Sequence, residues 1–225
     1  MRRPSLPPAV AVMAKVPGSG PVKSRLHGAL TAERATELYR CFLLDRLDAV
    51  AALAEITPVV AFTPAEARPA LAPLAPTRFD LIAQEGSDLG ERLSTLLTAL
   101  LARGHAGAIA IDSDSPTLPM AYVTEAAQHL ARGLSDVVLG PCEDGGYYLI
   151  GLAAPQPALF EGIPWSTDAV LALTVEKARR HDLSVHLLPP WFDVDTAADL
   201  RRLRTALEAG DDGPRRTTEF LKGLP

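Results

Sequence analysis

Short apolar runs alternate along the chain with longer segments in which apolar residues recur every three or four positions. The short runs predict strands and the longer segments predict helices. The predicted strands are Ala9 to Ala14, Pro58 to Phe62, Phe79 to Ala83, Ala106 to Ile111, Asp136 to Gly140, Tyr147 to Leu152 and Ser184 to Leu188. The predicted helices are Thr31 to Leu53, Asp88 to Gly104, Pro119 to Gly133, Thr167 to His181 and Thr196 to Ala209, with a further one capped by Thr63 and entered through Pro64.

This alternation predicts one doubly wound α/β domain, in which a mainly parallel sheet carries helices on both faces. No repeat or long linker divides the chain. We therefore predict a single domain over residues 1–225, with a core over about 9–205 and a loosely ordered tail over 210–225.

Composition narrows the function. The chain has 225 residues, of which 48% are hydrophobic, and this is enough for one substantial core. A net charge of -5 argues against a nucleic-acid or anionic membrane surface, so local bases or a metal ion must handle any phosphate. Cys41 and Cys142 lie far apart without ligand spacing, which predicts reduced thiols and a cytoplasmic protein.

Two acidic residues directly follow the predicted strand that is most informative about function. The apolar run Ala106 to Ile111 ends in Asp112 and Asp114, and Pro116 follows. Ligands of open α/β sheets bind beyond the carboxyl ends of the strands. Two carboxylates there can hold Mg²⁺ or Mn²⁺, and through it a diphosphate. An acid in this place can equally cap a turn or the next helix, so both roles stay open.

A loop rich in glycine and proline follows the first predicted strand. Pro17, Gly18 and Gly20 would let backbone amides approach a phosphate, and Lys23 and Arg25 add positive charge there. The spacing matches neither a Walker A loop nor a dinucleotide fingerprint. A solvated surface loop is the alternative interpretation.

Two further acidic segments lie in connections. The turn Glu143 to Gly146 separates two predicted strands, and it is either a plain hairpin turn or part of a site. Asp195 or Thr196 can cap the last predicted helix, with Asp199 as its first-turn acid. Capping does not account for Asp193, which we therefore predict to share a metal ion with Asp114.

Several motifs in this order closely resemble a bacterial family labelled radical-SAM/selenodomain-associated transferase or glycosyltransferase. That family resembles a branch of the nucleotide-diphosphosugar transferase superfamily with the GT-A fold. It is more distantly similar to the guanylyltransferases of molybdenum-cofactor and deazaflavin-cofactor (2-phospholactate) biosynthesis. The resemblance covers roughly residues 9 to 205. Its motifs are Ala14-Lys15-Val16-Pro17, Val22-Lys23-Ser24-Arg25-Leu26, Asp88-Leu89-Gly90-Glu91-Arg92, Asp114-Ser115-Pro116-Thr117-Leu118-Pro119, Gly140-Pro141, Glu143 to Gly151, Trp165-Ser166-Thr167 and Asp193-Val194-Asp195-Thr196.

The resemblance implies a nucleotide over the first loop and a divalent metal ion at Asp114. Family members usually carry glycine where this chain has Asp112. Asp114 is therefore the better candidate for a metal ligand than Asp112. The predicted nucleotide-binding residues are Pro17, Gly18, Gly20, Lys23, Arg25 and Asp88, and the predicted catalytic residues are Lys23, Arg25 and Asp144. The predicted metal ligands are Asp114, Asp193, Asp112 and Asp195. The predicted substrate-binding residues are Glu143, Gly145, Gly146, Tyr147, Trp165, Ser166 and Thr167.

Two enzymatic interpretations and one non-enzymatic one remain. The basic loop favours nucleotidylyl transfer, in which a small phosphorylated or acidic acceptor attacks a nucleoside triphosphate and pyrophosphate leaves. The family label favours glycosyl transfer from a nucleotide-sugar, with Asp144 or Glu143 as the base. The third interpretation is an inactive nucleotide-binding regulatory module. We predict a nucleotide and a small-molecule acceptor as partners, no nucleic acid and no membrane, and allow a homodimer without requiring it.

Overall fold

The computed structural model describes residues 6–209 and 213–224, and it is built on one seven-stranded sheet. The strand order is β3-β2-β1-β4-β6-β5-β7. All neighbouring strands are parallel except for β6, which runs antiparallel to β4 and β5. The strands are β1 (Ala9–Lys15), β2 (Thr57–Thr63), β3 (Asp80–Ala83), β4 (Ala108–Ile111), β5 (Val137–Pro141), β6 (Tyr147–Leu152) and β7 (Val185–Leu187). The mainly parallel sheet predicted from the sequence is confirmed.

Helices cover both faces of the sheet, which explains why β1 and β4 are apolar at almost every position. Leu43 and Val123 pack in the core on one face, and Leu97 and Ala178 pack in the core on the other. The helices are α1 (Ala32–Ala51), α2 (Arg68–Leu71), α3 (Leu89–Ala102), α4 (Met120–Ala131), α5 (Val170–Arg180), α6 (Ala197–Glu208) and α7 (Arg215–Lys222). Within the described ranges, no helix combines the length and apolar character needed to cross a membrane.

Side-chain caps begin three of these helices. Thr31 accepts a hydrogen bond from a backbone amide of α1, and Asp88 accepts one from the Glu91 amide of α3 at 2.8 Å. At α6 the cap is Thr196, which forms a capping box with Asp199. The alternative prediction, that Asp195 caps this helix, is therefore wrong. The carboxylate of Asp195 contacts Lys23 instead.

Two other predictions for local structure are wrong. Thr63 does not cap a helix, because it is the last residue of β2, and Pro64 enters a short 3-10 turn without a side-chain cap. The tail is not loose over α7, because the buried carboxylate of Asp45 on α1 accepts hydrogen bonds from the first amides of that helix, including Thr217 at 2.8 Å. Residues 210–212 and 225 of that predicted tail lie outside the described residues.

The capping box at α6 yields a first prediction. Thr196→Ala should lower the free energy of unfolding by about 1 kcal/mol, because the first turn of α6 loses its side-chain acceptor. Thr205→Ala, at an exposed position on the same helix, should leave it unchanged or raise it, because alanine has the higher helix propensity. Urea denaturation measures both, and equal effects of the two variants would contradict the assignment of the cap.

Candidate functional site

The strands β1, β2 and β4 end at the same edge of the sheet, and a cleft of about 340 Å³ opens there. This is the edge where open α/β sheets bind their ligands. The charged and amide side chains that line it come from five separate segments. They are Lys15, Lys23, Gln84, Arg92, Asp114 and Asp195.

Lys23 lies at the centre of this group. Its ammonium is 2.6 Å from a carboxylate oxygen of Asp114 and 2.8 Å from one of Asp195, and its side chain is only 3% exposed. Burial alone would lower the pKa of Lys23, but the two carboxylates outweigh burial and raise that pKa above its ordinary value. The ammonium is therefore charged throughout the physiological range.

Hydrogen bonds that involve backbone groups and two buried hydroxyls hold these segments together. The hydroxyl of Tyr39 on α1 accepts a hydrogen bond from the Lys15 amide at 3.0 Å, and it lies 3.0 Å from the Ser113 hydroxyl. The amide of Val194 donates to the carbonyl of Asp114 at 3.0 Å. The loop after β4 is thus fixed against β1, α1 and the segment before α6.

Asp193 faces other acids in this segment. The pKa of Asp193 is raised to about 6, first by burial and then by the neighbouring carboxylates of Asp195 and Asp144, while Lys23 acts in the opposite direction. The buried thiol of Cys142 also has a raised pKa, to which Asp112, Asp193 and Asp144 contribute after burial itself. Asp112, Asp144 and Asp193 therefore influence the same thiol, although none of the three is among the residues that line the cleft.

Asp112 differs from Asp114, although the two are only one residue apart. One of its carboxylate oxygens accepts a hydrogen bond from Ser115 at 2.6 Å, and the other is buried without a partner among the described residues. Burial raises the pKa of Asp112 to about 6, despite the nearby fully buried guanidinium of Arg46. The carboxylate of Asp112 is therefore turned inward, although the residue as a whole is only partly buried, and Asp112 is not among the residues that line the cleft.

The glycine-containing turn lies on the acidic side of the region. Gly145 has a φ of 90°, and a Cβ there would come within 2.2 Å of the Asp168 carbonyl oxygen, so the position requires glycine. Asp144 is exposed, and its carboxylate accepts a hydrogen bond from the Gly146 amide at 2.9 Å. Glu143 pairs instead with Arg202 of α6 through both of its oxygens.

The remaining predicted substrate residues pack away from the cleft. Tyr147 and Trp165 make an edge-to-face contact with ring centroids 6.4 Å apart, and the indole lies against Gly90 of α3. Tyr148 points to the opposite face and donates to the Pro189 carbonyl at 2.9 Å. Ser166 and Thr167 are exposed beside them. None of these side chains lines the cleft.

The first loop has two sides. Lys23 faces the cleft, whereas Pro17, Gly18 and Gly20 line a separate outer groove that contains Arg40 of α1. Arg25 is 72% exposed, and its guanidinium is 3.8 Å from Asp195. Asp88 serves as the cap of α3 and is not among the cleft residues, whereas Arg92 one turn further along is.

Three of the charged and amide residues of the cleft, Lys15, Gln84 and Arg92, were not among the predicted site residues. The Gln84 amide donates to the carbonyls of Ala61 and Ala14, across the ends of β2 and β1. Arg92 points into the cleft from the first turns of α3. Arg92 stood within a quoted motif, but a lone glutamine after a strand carries no signal of its own.

The carboxylates fit a hard cation in their chemistry, because Mg²⁺ and Mn²⁺ prefer oxygen ligands and complete their shells with water and phosphate. The four predicted ligands do not form a compact cluster, since the Lys23 ammonium stands between Asp114 and Asp195 and Asp112 is turned inward. Over residues 6–209 and 213–224, the one group of three His, Cys, Asp or Glu side chains with ligand atoms within 4.8 Å of one another is elsewhere, at Glu125, His129 and His186.

The family described as "Uncharacterized protein conserved in bacteria (DUF2064)" matches residues 46–167, more than half of the chain. The chain belongs to this family. It is also similar to a solved structure from Desulfovibrio desulfuricans G20, named as a candidate nucleotide-diphospho-sugar transferase, with 34% identity, a TM-score of 0.87 and coverage of 96% of this chain and 94% of that one. No curated protein matches the sequence. The radical-SAM association implied by the family label stays a prediction.

More distant structures share the fold. The 4-diphosphocytidyl-2C-methyl-D-erythritol synthase of Anaerococcus prevotii aligns over 89% of this chain and 96% of its own, with 11% identity and a TM-score of 0.59. The molybdopterin-guanine dinucleotide biosynthesis protein A of Archaeoglobus fulgidus aligns over 90% of this chain and 100% of its own, with 14% identity and a TM-score of 0.55. The nucleotide-diphospho-sugar transferase-like fold expected from the resemblance is confirmed.

The interior position of Asp112 yields a second prediction. Its pKa is higher in the folded chain than in the unfolded chain, so the carboxylate destabilises the fold once ionised, and this cost grows as pH rises from about 4 to about 6. Asp112→Asn should therefore raise the free energy of unfolding at pH 8, by at most about 3 kcal/mol, and by much less at pH 4.5.

Chemical denaturation in the presence of EDTA at the two pH values measures this difference. The matched control is Asp182→Asn, at an exposed position with a φ of 54° that asparagine also accepts, and it should change stability little at either pH. A loss of stability at pH 8 in Asp112→Asn would show that the carboxylate is needed as the partner of Arg46.

Proposed function

We propose that the protein is a metal-dependent transferase with a nucleotide donor, and that it moves a nucleotidyl group from a nucleoside triphosphate to a small phosphorylated or acidic acceptor. The observation that carries the proposal is the buried Lys23 ammonium, held by Asp114 and Asp195 at the carboxyl ends of the strands. A fixed cation beside carboxylates suits a ligand that combines phosphates with a metal ion.

Basic side chains around the cleft would neutralise the triphosphate. Lys15 enters from the end of β1, Lys23 from the loop that follows it, and Arg92 from α3, while the exposed Arg25 adjoins Asp195. Phosphoryl-type transfer depends mainly on positioning and on charge neutralisation, so these groups supply what the reaction needs. The formal net charge of the whole chain is negative. The basic side chains at the cleft are therefore a local feature and not part of a generally basic surface.

Asp114 and Asp193 are the proposed ligands of Mg²⁺ or Mn²⁺, with Asp195 next to them and Asp112 excluded by its interior position. A bound ion would withdraw charge from the phosphate oxygens and from the departing pyrophosphate. Oδ1 of Asp114 lies 2.6 Å from the Lys23 ammonium, and we propose that the second carboxylate oxygen of Asp114 faces the metal ion.

In the proposed reaction an oxygen of the acceptor forms a bond to the α-phosphorus, and the bond from that phosphorus to the pyrophosphate oxygen breaks. A phosphate or carboxylate acceptor attacks as an anion, so no proton has to be removed. Lys23 and Arg92 hold the triphosphate in line, and their positive charge stabilises the leaving pyrophosphate. No side chain of the site has to act as a base in this reaction.

Glycosyl transfer from a nucleotide-sugar is the second candidate, because the Desulfovibrio protein is named as a candidate nucleotide-diphospho-sugar transferase. Here an acceptor hydroxyl needs a base. Asp144 is the better choice, since it is exposed and near Asp193, whereas Glu143 is engaged by Arg202. An inactive regulatory module would bind the nucleotide without turnover. The cytoplasmic location and a homodimer stay predictions.

A ligand screen separates these candidates and is our third prediction. Nucleoside triphosphates with Mg²⁺ or Mn²⁺ should raise the melting temperature, because a ligand at 100 times its dissociation constant adds about 2.7 kcal/mol of stability. A preference for nucleotide-sugars would favour glycosyl transfer instead. Binding of neither class would overturn the proposed function.

Variants map the binding site within the same screen. Lys23→Ala should weaken nucleotide binding by roughly 10- to 100-fold, because a charge-assisted contact of about 1–3 kcal/mol is lost. Arg92→Ala, at a cleft position outside the buried ion pairs, should weaken it as well. Arg40→Ala changes the outer groove and is expected to bind like the wild type. The reverse pattern would place the nucleotide on the outer side of the loop.

The adjacent acids allow a fourth prediction, on turnover. Asp114→Asn keeps the shape of the side chain and removes its charge, so metal-dependent turnover should fall by at least about 100-fold while the chain stays folded. Asp112→Asn, two residues away but turned inward, should retain most of its activity. Pyrophosphate release, measured across a series of Mn²⁺ concentrations, compares the two. Equal loss in both variants would show a clamp that uses both carboxylates.

A further inference from the structure

A second group of metal-ligating side chains lies away from the cleft, where α4 meets the edge strand β7. Glu125 and His129 are four residues apart on α4 and therefore project from the same face of that helix. His186 is the central residue of β7. We propose that these three side chains form a binding site for one divalent transition-metal ion such as Zn²⁺.

The three side chains already converge. One ligand atom from each lies within 4.8 Å of the other two, and all three residues are partly buried. Nε2 of His186 is 2.7 Å from a carboxylate oxygen of Glu125, and the rings of His129 and His186 stack with centroids 3.8 Å apart. A bound ion would take the place of the hydrogen bond between His186 and Glu125, and the two stacked rings would turn so that a nitrogen of each points at the ion.

A neighbouring residue orients one of the imidazoles. Nδ1 of His129 lies 3.2 Å from the hydroxyl of Ser135, which is buried. This contact leaves Nε2 of His129 for the ion. Histidine ligands in metal sites ordinarily have such an outer partner for the second ring nitrogen, which fixes the ring and its tautomer.

The donor set selects the kind of ion. Two imidazole nitrogens and one carboxylate oxygen are the ligands that Zn²⁺ and its neighbours in the transition series prefer, whereas Mg²⁺ prefers oxygen alone. The proposed site therefore differs in chemistry from the carboxylate group at Asp114. None of the three residues lines the cleft, so the two sites are also separate in space.

The position indicates a structural role. Strand β7 has only three residues, and it is the last strand at its end of the sheet, paired with β5 alone. An ion shared between α4 and β7 would join this short strand to α4, which packs on the neighbouring strands β5 and β6. Because the ion binds the folded chain, its binding free energy would add to the stability of the fold.

The test uses the full chain, treated with EDTA and then freed of it. Competition between the protein and a chromogenic chelator for Zn²⁺ measures the affinity and the number of ions bound. In a separate sample, the visible absorption of bound Co²⁺ reports whether nitrogen ligands hold the ion. We expect one equivalent bound through this site and a higher melting temperature with Zn²⁺. His129→Gln and His186→Gln should each weaken binding by at least about tenfold, and Ser135→Ala, which removes only the outer partner, by about tenfold.

Two controls make the outcome decisive. His181→Gln removes an exposed histidine outside the site and should bind like the wild type, and Asp114→Asn should do the same because it alters only the cleft. Circular dichroism verifies that each variant is folded, and Glu125→Gln provides a third ligand variant on a helix surface. Wild-type affinity in both histidine variants, loss of binding in Asp114→Asn alone, or no Zn²⁺ binding by the wild type would each overturn the proposal.

Discussion

The candidate site depends on one buried cation. Lys23 has almost no solvent contact, and an ammonium in that position is tolerated only because Asp114 and Asp195 accept from it directly. Removing either partner from a buried ion pair usually costs far more than the pair contributes, so the three side chains act as a unit. The unit joins the loop after β1, the loop after β4 and the segment before α6. The ion pairs therefore fix the relative positions of these three segments around the cleft.

The fold and the general position of the site follow from sequence patterns. The apolar runs locate the seven strands, and the rule that ligands bind at carboxyl strand ends places Lys23 and Asp114 together. The pairing of Lys23 with Asp195 could not be predicted, because 172 positions separate the two residues. Asp195 also stood where a helix cap is expected, and the choice between Thr196 and Asp195 depends on backbone geometry that both residue types allow.

Two further errors have different physical reasons, one a long-range contact and the other the geometry of a turn. The first amides of α7 donate to Asp45, an acid of α1 that is distant in the sequence, so the helix begins without a side-chain cap from its own segment. Asp112 and Asp114 form a typical metal-binding pattern, yet the turn after β4 directs only Asp114 to the cleft. Burial of Asp112 beneath Ser115 is a property of that turn, and the spacing of the two acids does not reveal it.

The geometry at Lys23 also indicates how Asp114 could contact both the Lys23 ammonium and a metal ion. Lys23 contacts Oδ1 of Asp114 and Oδ1 of Asp195, and Arg25 is nearest to Oδ2 of Asp195. Both oxygens of Asp195 therefore face basic groups, whereas Oδ2 of Asp114 has no cation among these pairs. With one oxygen fixed by Lys23, the carboxylate of Asp114 has lost its rotational freedom before any metal ion arrives. In the proposed function Lys23 would thus orient the metal ligand as well as contact the phosphates, and this dual role would explain why a lysine is buried at the centre of an acidic group.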